Sequence, residues 1–160
     1  MTTAGYDDAA ALADFAAAVD VITYEFENIP TAALDLLERR RPIRPGRAAL
    51  ATSQDRSTEK AFLQGLGLLT APFSPVKTRA DLDRALAEIG YPAILKTCRM
   101  GYDGKGQARI MTAADADAAF AEMAGADAVL EGFIDFKREV SVIGARGLDG
   151  AIACFDPGEN

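Results

Sequence analysis

Apolar and polar positions along the chain repeat with periods that predict an order of helices and strands. In residues 7–19, apolar side chains recur at helical spacing within an alanine-rich stretch. Residues 21–26 form a β-branched and aromatic run that predicts a strand, and Pro30 separates this run from a second helix over residues 32–41. The N-terminal part is therefore predicted to be helix, strand and helix.

Two short helices are predicted next, over residues 48–52 and 55–65. Asp55 is the candidate N-cap of the second helix, because a short acceptor side chain there can satisfy free backbone N–H groups. Arg56 and Lys60 lie four residues apart and so share one face of that helix. The pattern alone favours ordinary solvated cations for both.

Strand and helix patterns alternate through the second half of the chain. Thr78 and Asp81 form a capping box, which predicts a helix that ends at Gly90. The proline-rich residues 70–76 before this helix are typical of an edge strand or an extended link. Further predicted elements are strands at residues 92–95, 108–111 and 128–134, a helix capped by Thr112, and a hairpin with arms at residues 138–146 and 151–155.

A lysine and a glycine-rich segment follow the strand at residues 92–95. Lys96 ends the apolar run, and glycines stand at positions 101, 104 and 106. Backbone N–H groups in such a loop can approach an anion closely, so the segment is a candidate phosphate site. Glycines also serve surface hairpins through their positive φ angles. This segment taken alone favours the ordinary hairpin.

Two carboxylates, Glu25 and Glu27, follow the first predicted strand. The carboxyl ends of parallel strands are where open α/β sheets bind ligands. The same carboxylates are also typical of residues at the start of a helix, where they face the positive end of its dipole. The pattern favours the structural interpretation.

Composition limits the classes of function. The 160 residues, 49% of them hydrophobic, suffice for a buried core, and a formal charge of −7 disfavours a nucleic-acid partner. No apolar run approaches the ~20 residues of a membrane span, and the first residues lack a secretory signal, so a cytoplasmic protein without a membrane partner is expected. There is no histidine, and the two cysteines, Cys98 and Cys154, are expected to be reduced, half-buried fillers. Any chemistry must use Lys, Arg, Glu and Asp.

Four motifs in order carry a resemblance to a known family. They are TYEFENIP at residues 23–30, QDRSTEKAFL at 54–63, KTCRMGYDGKGQ at 96–107 and EGFIDFKREVSVIGARGLDG at 131–150. Together they resemble the 5-(carboxyamino)imidazole ribonucleotide synthetases, the ATP-grasp carboxylases of purine biosynthesis. YEFEN combined with GYDGKGQ distinguishes this family from its ATP-grasp relatives.

The resemblance implies a ligase activity. The family uses ATP and Mg²⁺ to phosphorylate bicarbonate to carboxyphosphate, and the carboxyl group then passes to the exocyclic amine of 5-aminoimidazole ribonucleotide (AIR). The implied partners are these small molecules and, for the full-length protein, a second copy in a homodimer. Neither a nucleic acid nor a membrane is implied.

Site residues follow from the matched motifs. By resemblance, Arg56 and Lys96 contact the ATP phosphates, Glu139 holds the ribose hydroxyls, and Glu25 contacts AIR. The implied phosphate loop consists of Gly101, Tyr102, Asp103, Gly104, Lys105, Gly106 and Gln107, and Tyr102 is also a candidate AIR contact. The implied adenine segment consists of Glu131, Gly132, Phe133 and Ile134. The catalytic residues are not identified, and no metal ligand is expected in this chain.

The fold implied by the resemblance is α/β and is expected to be truncated at both ends. Residues 1–41 would be the end of a Rossmann-like pre-ATP-grasp domain, and residues 42–160 the linker helices and the small ATP-grasp lobe, mainly antiparallel sheet with helices. The arginine- and proline-rich residues 39–45 are the best boundary candidate.

Departures from the family pattern affect the expected activity of this chain. Cys98, Met100 and the CFDPGEN ending differ from the usual residues, and the GxGQLG-type opening turn is absent. The Mg²⁺ ligands are expected in a C-terminal part beyond residue 160, so the chain alone is expected to be an inactive fragment. The alternatives are a piece of another ATP-grasp ligase and a non-catalytic nucleotide-binding remnant.

Overall fold

Buried apolar side chains form two separate clusters in the computed structural model, which describes residues 3–101 and 105–160. The N-terminal cluster packs Ala16 and Ile22 against Leu34, Ile43 and Leu50. The second cluster is larger and lies under the sheet described below. The predicted domain boundary near residue 41 stays a prediction, although Ile43 and Leu50 join the N-terminal cluster.

Three helices build the N-terminal part: α1 (Ala9–Ala17), α2 (Thr31–Glu38) and α3 (Arg47–Ser53). The predicted helix over residues 32–41 is therefore too long at its C-terminal end. Arg41 precedes Pro42, and a residue before proline is driven away from the helical region.

The predicted strand at residues 21–26 is wrong except at one position. Only Ile22 pairs, in a parallel bridge with Ile43, through hydrogen bonds to Pro42 O and from Arg44 N. Pro42 and Pro45 lack backbone N–H groups, so the pairing cannot extend into a ladder.

A four-stranded sheet forms the second part, with strand order β1-β4-β2-β3 and every pair antiparallel. Its strands are β1 (Phe73–Val76), β2 (Ala93–Thr97), β3 (Gln107–Ile110) and β4 (Ala128–Gly132). The predicted antiparallel sheet is confirmed, and β1, which contains Pro75, lies at its edge as the prolines indicated.

Helices α5 (Arg79–Ile89) and α6 (Ala116–Glu122) cover one face of the sheet. The predicted capping box of α5 is present, since Thr78 accepts from Asp81 N and Asp81 accepts from Thr78 N. Helix α6 follows a short 3₁₀ turn at Ala113–Asp115, behind the predicted cap Thr112. Helix α4 (Arg56–Gly65) precedes the sheet and is capped by Asp55, as predicted.

The predicted C-terminal hairpin is present but interrupted. Strands β6 (Gly144–Arg146) and β7 (Ile152–Cys154) pair beside the turn, and β5 (Val140–Ser141) and β8 (Gly158–Glu159) pair farther along. Between the two pairs, residues 142–143 oppose residues 155–157, which is one residue more and includes a proline that cannot donate. Every residue from 133 to 160 is exposed. Among the described helices, none has both the length and the apolar composition needed to cross a bilayer.

Candidate functional site

Two rows of side chains cross the face of the sheet that α5 and α6 leave uncovered. Strand register places Phe73, Glu131, Ile94 and Arg109 next to one another across β1, β4, β2 and β3. Lys96 and Gln107 are paired in the adjacent row on the same face, because side chains two apart on a strand point the same way. The structure therefore brings predicted phosphate and adenine residues onto one surface.

Glu131 is held between two lysines. The Lys96 ammonium donates to Glu131 Oε2 at 3.0 Å, and the Lys60 Nζ lies 3.3 Å from Glu131 Oε1. The side chains are largely buried, with 23% of Lys96, 16% of Lys60 and 10% of Glu131 exposed. We call these three residues the lysine–glutamate cluster.

The expectation that Lys60 and Arg56 are ordinary solvated cations is wrong. Lys60 is in the cluster, and its Nζ also lies 5.8 Å from the centroid of the Phe73 ring. Arg56 donates from Nη1 to Thr97 O and from Nη2 to Gly101 O, each at 2.9 Å. Their positions four apart on α4 were a signal for a shared environment, but the sequence could not show that this environment is protein.

Arg56 fixes the two ends of the segment between β2 and the glycine loop. Its guanidinium bridges the carbonyls of Thr97 and Gly101, and its own backbone N–H donates to Cys98 O at 2.9 Å. Two of the five guanidinium N–H donors are used in this way, which leaves the others for an anion.

The glycine loop is closed at its base by a hydrogen bond from Thr97 N to Gly106 O at 2.8 Å. Gly106 has φ +66°, and a Cβ there would lie 2.5 Å from Thr97 Oγ1. A glycine is therefore required at this position by both conformation and space. Of the other predicted loop residues, Gly101 is half-buried and Lys105 and Gln107 are exposed. Tyr102, Asp103 and Gly104 lie outside the described residues.

The predicted adenine segment follows Glu131 at the end of β4. The N–H groups of Gly132 and Phe133 donate to Pro72 O at 2.9 Å and Pro92 O at 3.1 Å, so both are already engaged within the protein. The Phe133 ring is partly exposed and lies 5.9 Å from Arg109 Cζ. Ile134 is exposed beside it.

Glu139 lies on the exposed hairpin. Its Oε1 accepts from Asn160 Nδ2 at 3.4 Å, and the same amide donates to Ser141 Oγ at 2.9 Å. Glu139 and Ser141 therefore share one side of the strand, as the alternation predicted. In the described part of the chain, no recorded contact joins Glu139 to the lysine–glutamate cluster.

A buried glutamine that the sequence did not indicate connects three motifs. Gln54 Nε2 donates to Glu27 O at 2.9 Å and Ile29 O at 3.1 Å, and its Oε1 accepts from Arg99. A polar pocket of about 130 Å³ lies beside it, lined by Glu27, Arg56 and Gly101 among others. The TYEFENIP, QDRSTEKAFL and KTCRMGYDGKGQ motifs thus meet at this pocket.

Glu25 lies apart from that pocket, on the rim of a mostly apolar cavity of about 380 Å³ that Phe15 and Phe26 also line. The interpretation of Glu25 and Glu27 as carboxylates at the start of a helix is not supported. Helix α2 has Pro30 as its N-cap, without a side-chain hydrogen bond and with no acidic residue in its first turn.

The cysteines differ from the expected half-buried fillers. Cys98 is buried, with its Sγ 3.3 Å from Ser57 Oγ, and Cys154 is exposed. Burial raises the pKa of the Cys98 thiol. A thiol kept protonated is a poor nucleophile, so Cys98 has a packing role.

Metal ligands are not assembled in the part of the chain that the structure describes. No group of three or more His, Cys, Asp or Glu side chains there could hold a metal ion. The Mg²⁺ implied by the resemblance does not fit the described residues, and no step is assigned to it here.

Comparison with known proteins identifies two matching families. A model described as ATP-grasp domain matches residues 61–160, and one described as ribonucleotide synthetase preATP-grasp domain matches residues 1–54. These matches are in accord with the antiparallel sheet in the second part of the chain.

Curated relatives match almost the whole chain. N5-carboxyaminoimidazole ribonucleotide synthase of Brucella melitensis biotype 1 is 52% identical over 159 residues, which are 98% of this chain and 44% of that protein. The protein of the same name from Bacillus subtilis strain 168 is 43% identical over 158 residues, 99% of this chain and 42% of that protein. The crystal structure of N5-carboxyaminoimidazole synthetase from Staphylococcus aureus complexed with ADP has a TM-score of 0.94 and 41% identity, covering 99% of this chain and 42% of that one. The chain spans less than half the length of these relatives.

Proposed function

The chain belongs to the ATP-grasp family, and we propose that it supplies the nucleotide-phosphate side of an N5-carboxyaminoimidazole ribonucleotide synthase. The reaction would be the ATP-dependent carboxylation of AIR by bicarbonate, through carboxyphosphate. One observation carries the proposal: Lys96, Glu131 and the base of the glycine loop lie together on the open face of one antiparallel sheet.

The donor set fits a nucleotide polyphosphate. Lys96 offers a compact charge at the end of β2, beside a loop whose backbone can close over an anion. Arg56 holds the start of that loop and keeps N–H donors for a phosphate oxygen. We assign these two residues and residues 101–107 to the phosphates, and residues 131–134 to the adenine edge.

The remaining assignments rest on the matched motifs. Glu139 would hold the ribose hydroxyls, and Glu25 and Tyr102 would contact AIR. Mg²⁺ would take its ligands from outside the described residues. The homodimer and the cytoplasmic location also rest on the resemblance, and the formal charge of −7 supports the absence of a nucleic-acid partner.

A segment exchange tests the activity. In the Brucella melitensis relative, the 44% of the protein that this chain matches is replaced by residues 1–160, and ADP release is measured with ATP, Mg²⁺ and bicarbonate, with and without AIR. AIR-dependent ADP release is the expected result. The same exchange carrying Lys96→Ala should show a higher KM for ATP together with a lower rate, because the lysine charge acts on phosphate in both ground and transition states.

Two results would contradict the proposal. A folded exchange protein that binds ATP but releases no AIR-dependent ADP would favour the nucleotide-binding alternative. Unchanged ATP kinetics in the Lys96→Ala protein would remove Lys96 from the phosphate site.

A further inference from the structure

The lysine–glutamate cluster contains one more lysine than the proposed phosphate contact needs. Lys96 comes from β2 and Glu131 from β4, whereas Lys60 reaches the same carboxylate from helix α4. The two lysines use different oxygens, Oε1 for Lys60 and Oε2 for Lys96. Lys60 can therefore hold Glu131 whether or not Lys96 does.

Charge balance gives Lys60 a purpose. Lys96 and Glu131 alone form a pair with no net charge, which attracts a polyphosphate weakly. A largely buried carboxylate also favours keeping its only cation, because an unpaired buried charge is strongly unfavourable. With Lys60 present, Glu131 is already neutralised and the cluster carries a net positive charge.

We propose that Lys60 is a positioning residue that neutralises Glu131 and so makes the Lys96 charge available to the nucleotide phosphate. This inference rests on the proposed function, since it needs Lys96 to contact phosphate. Lys60 itself stays with Glu131 and with the Phe73 ring, which lies 5.8 Å from its ammonium and favours a cation there.

The test is titration of the full 160-residue chain with MgADP, followed by NMR of backbone amides in β2 and β4, a method suited to weak binding. Lys60→Met should weaken MgADP binding about tenfold, as expected for one charge interaction in a half-buried site. Lys60→Arg, which keeps the charge, should stay within about threefold of the wild type. The matched control is Lys77→Met, since the Lys77–Asp127 ion pair is exposed and should not affect binding.

A second background separates neutralisation of Glu131 from direct contact with the ligand. With Glu131→Gln there is no carboxylate charge to neutralise, so adding Lys60→Met should cost at most about threefold. An equal loss in both backgrounds would mean that Lys60 acts on the nucleotide directly and would overturn the inference. Wild-type affinity in Lys60→Met would also overturn it.

Wild-type spectra give a readout that needs no variant and therefore holds even if Lys60→Met does not fold. The Nζ resonance of Lys96 should shift on addition of MgADP, and that of Lys60 should shift much less. Equal shifts would overturn the inference. Lys96→Met distinguishes the two levels: wild-type affinity there contradicts the proposed function, whereas weak binding there with wild-type affinity in Lys60→Met contradicts only the role of Lys60.

Discussion

Replacing Arg56 by lysine tests whether the guanidinium organises the phosphate segment. The arginine spans the carbonyls of Thr97 and Gly101, both at 2.9 Å. A lysine ammonium is a single point and can replace at most one of these bonds while keeping the charge. Arg56→Lys therefore isolates the geometry of the side chain from its charge.

The expected loss can be worked from these bonds. A hydrogen bond from a charged donor contributes about 1.5–3 kcal/mol, and one such bond is lost. Arg56 is only half-buried, so water can solvate the freed carbonyl, and we expect the lower end, about 1–2 kcal/mol of unfolding free energy.

Urea unfolding of the full chain measures this loss, and amide hydrogen exchange at Thr97 locates it, because that N–H closes the loop base. The matched control is Arg84→Lys, since Arg84 is 79% exposed in its ion pair with Asp81. A loss below ~0.5 kcal/mol, or equal losses in the two variants, would refute the bridging role of Arg56.

Three further changes address other parts of the molecule. Glu25→Gln in the segment-exchanged enzyme should weaken AIR binding by about 1–3 kcal/mol with little effect on ATP, as measured by the two KM values, and an unchanged KM for AIR would remove Glu25 from the site. Gly106→Ala should destabilise the chain by about 1–3 kcal/mol in urea unfolding, because its φ is positive and its Cβ has no room; stability equal to wild type would contradict that geometry. Hydrogen bonds from the Thr78 hydroxyl and N–H lower the pKa of Asp81 from its ordinary value of 3.8 to about 2, so its stabilising effect is complete above about pH 4 and is lost as the pH falls through about 2. The melting temperature of Asp81→Asn should therefore fall less than that of the wild type between pH 5 and pH 2, and parallel curves would contradict this.

Local features of the fold were predictable because neighbouring residues determine them. The capping box at Thr78 and Asp81, the cap at Asp55 and the edge strand with Pro75 each depend on hydrogen bonds or missing donors within a few residues. The strand at residues 21–26 failed for the opposite reason. Its composition favoured a strand, but a ladder needs a partner, and the partner segment contains two prolines.

The candidate site was predictable only in part. Its motifs placed Lys96, Glu131 and the glycine loop in one family pattern, and that family is confirmed. The roles of Lys60 and Gln54 were not visible, because each depends on residues far away in the chain. A lysine on an amphipathic helix has the same local pattern whether it faces water or a buried carboxylate.

The sequence by itself determined the order of most helices and strands, the positions of the caps, the antiparallel lobe and the family, because these depend on local periodicity and on contiguous motifs. Only the tertiary structure decided which charges meet. Strand register placed Lys96 diagonally from Glu131, and the packing of α4 brought Lys60 to the second carboxylate oxygen. The physical reason is that the environment of an ionisable side chain depends on burial and on its partners, and both are set by residues distant in sequence.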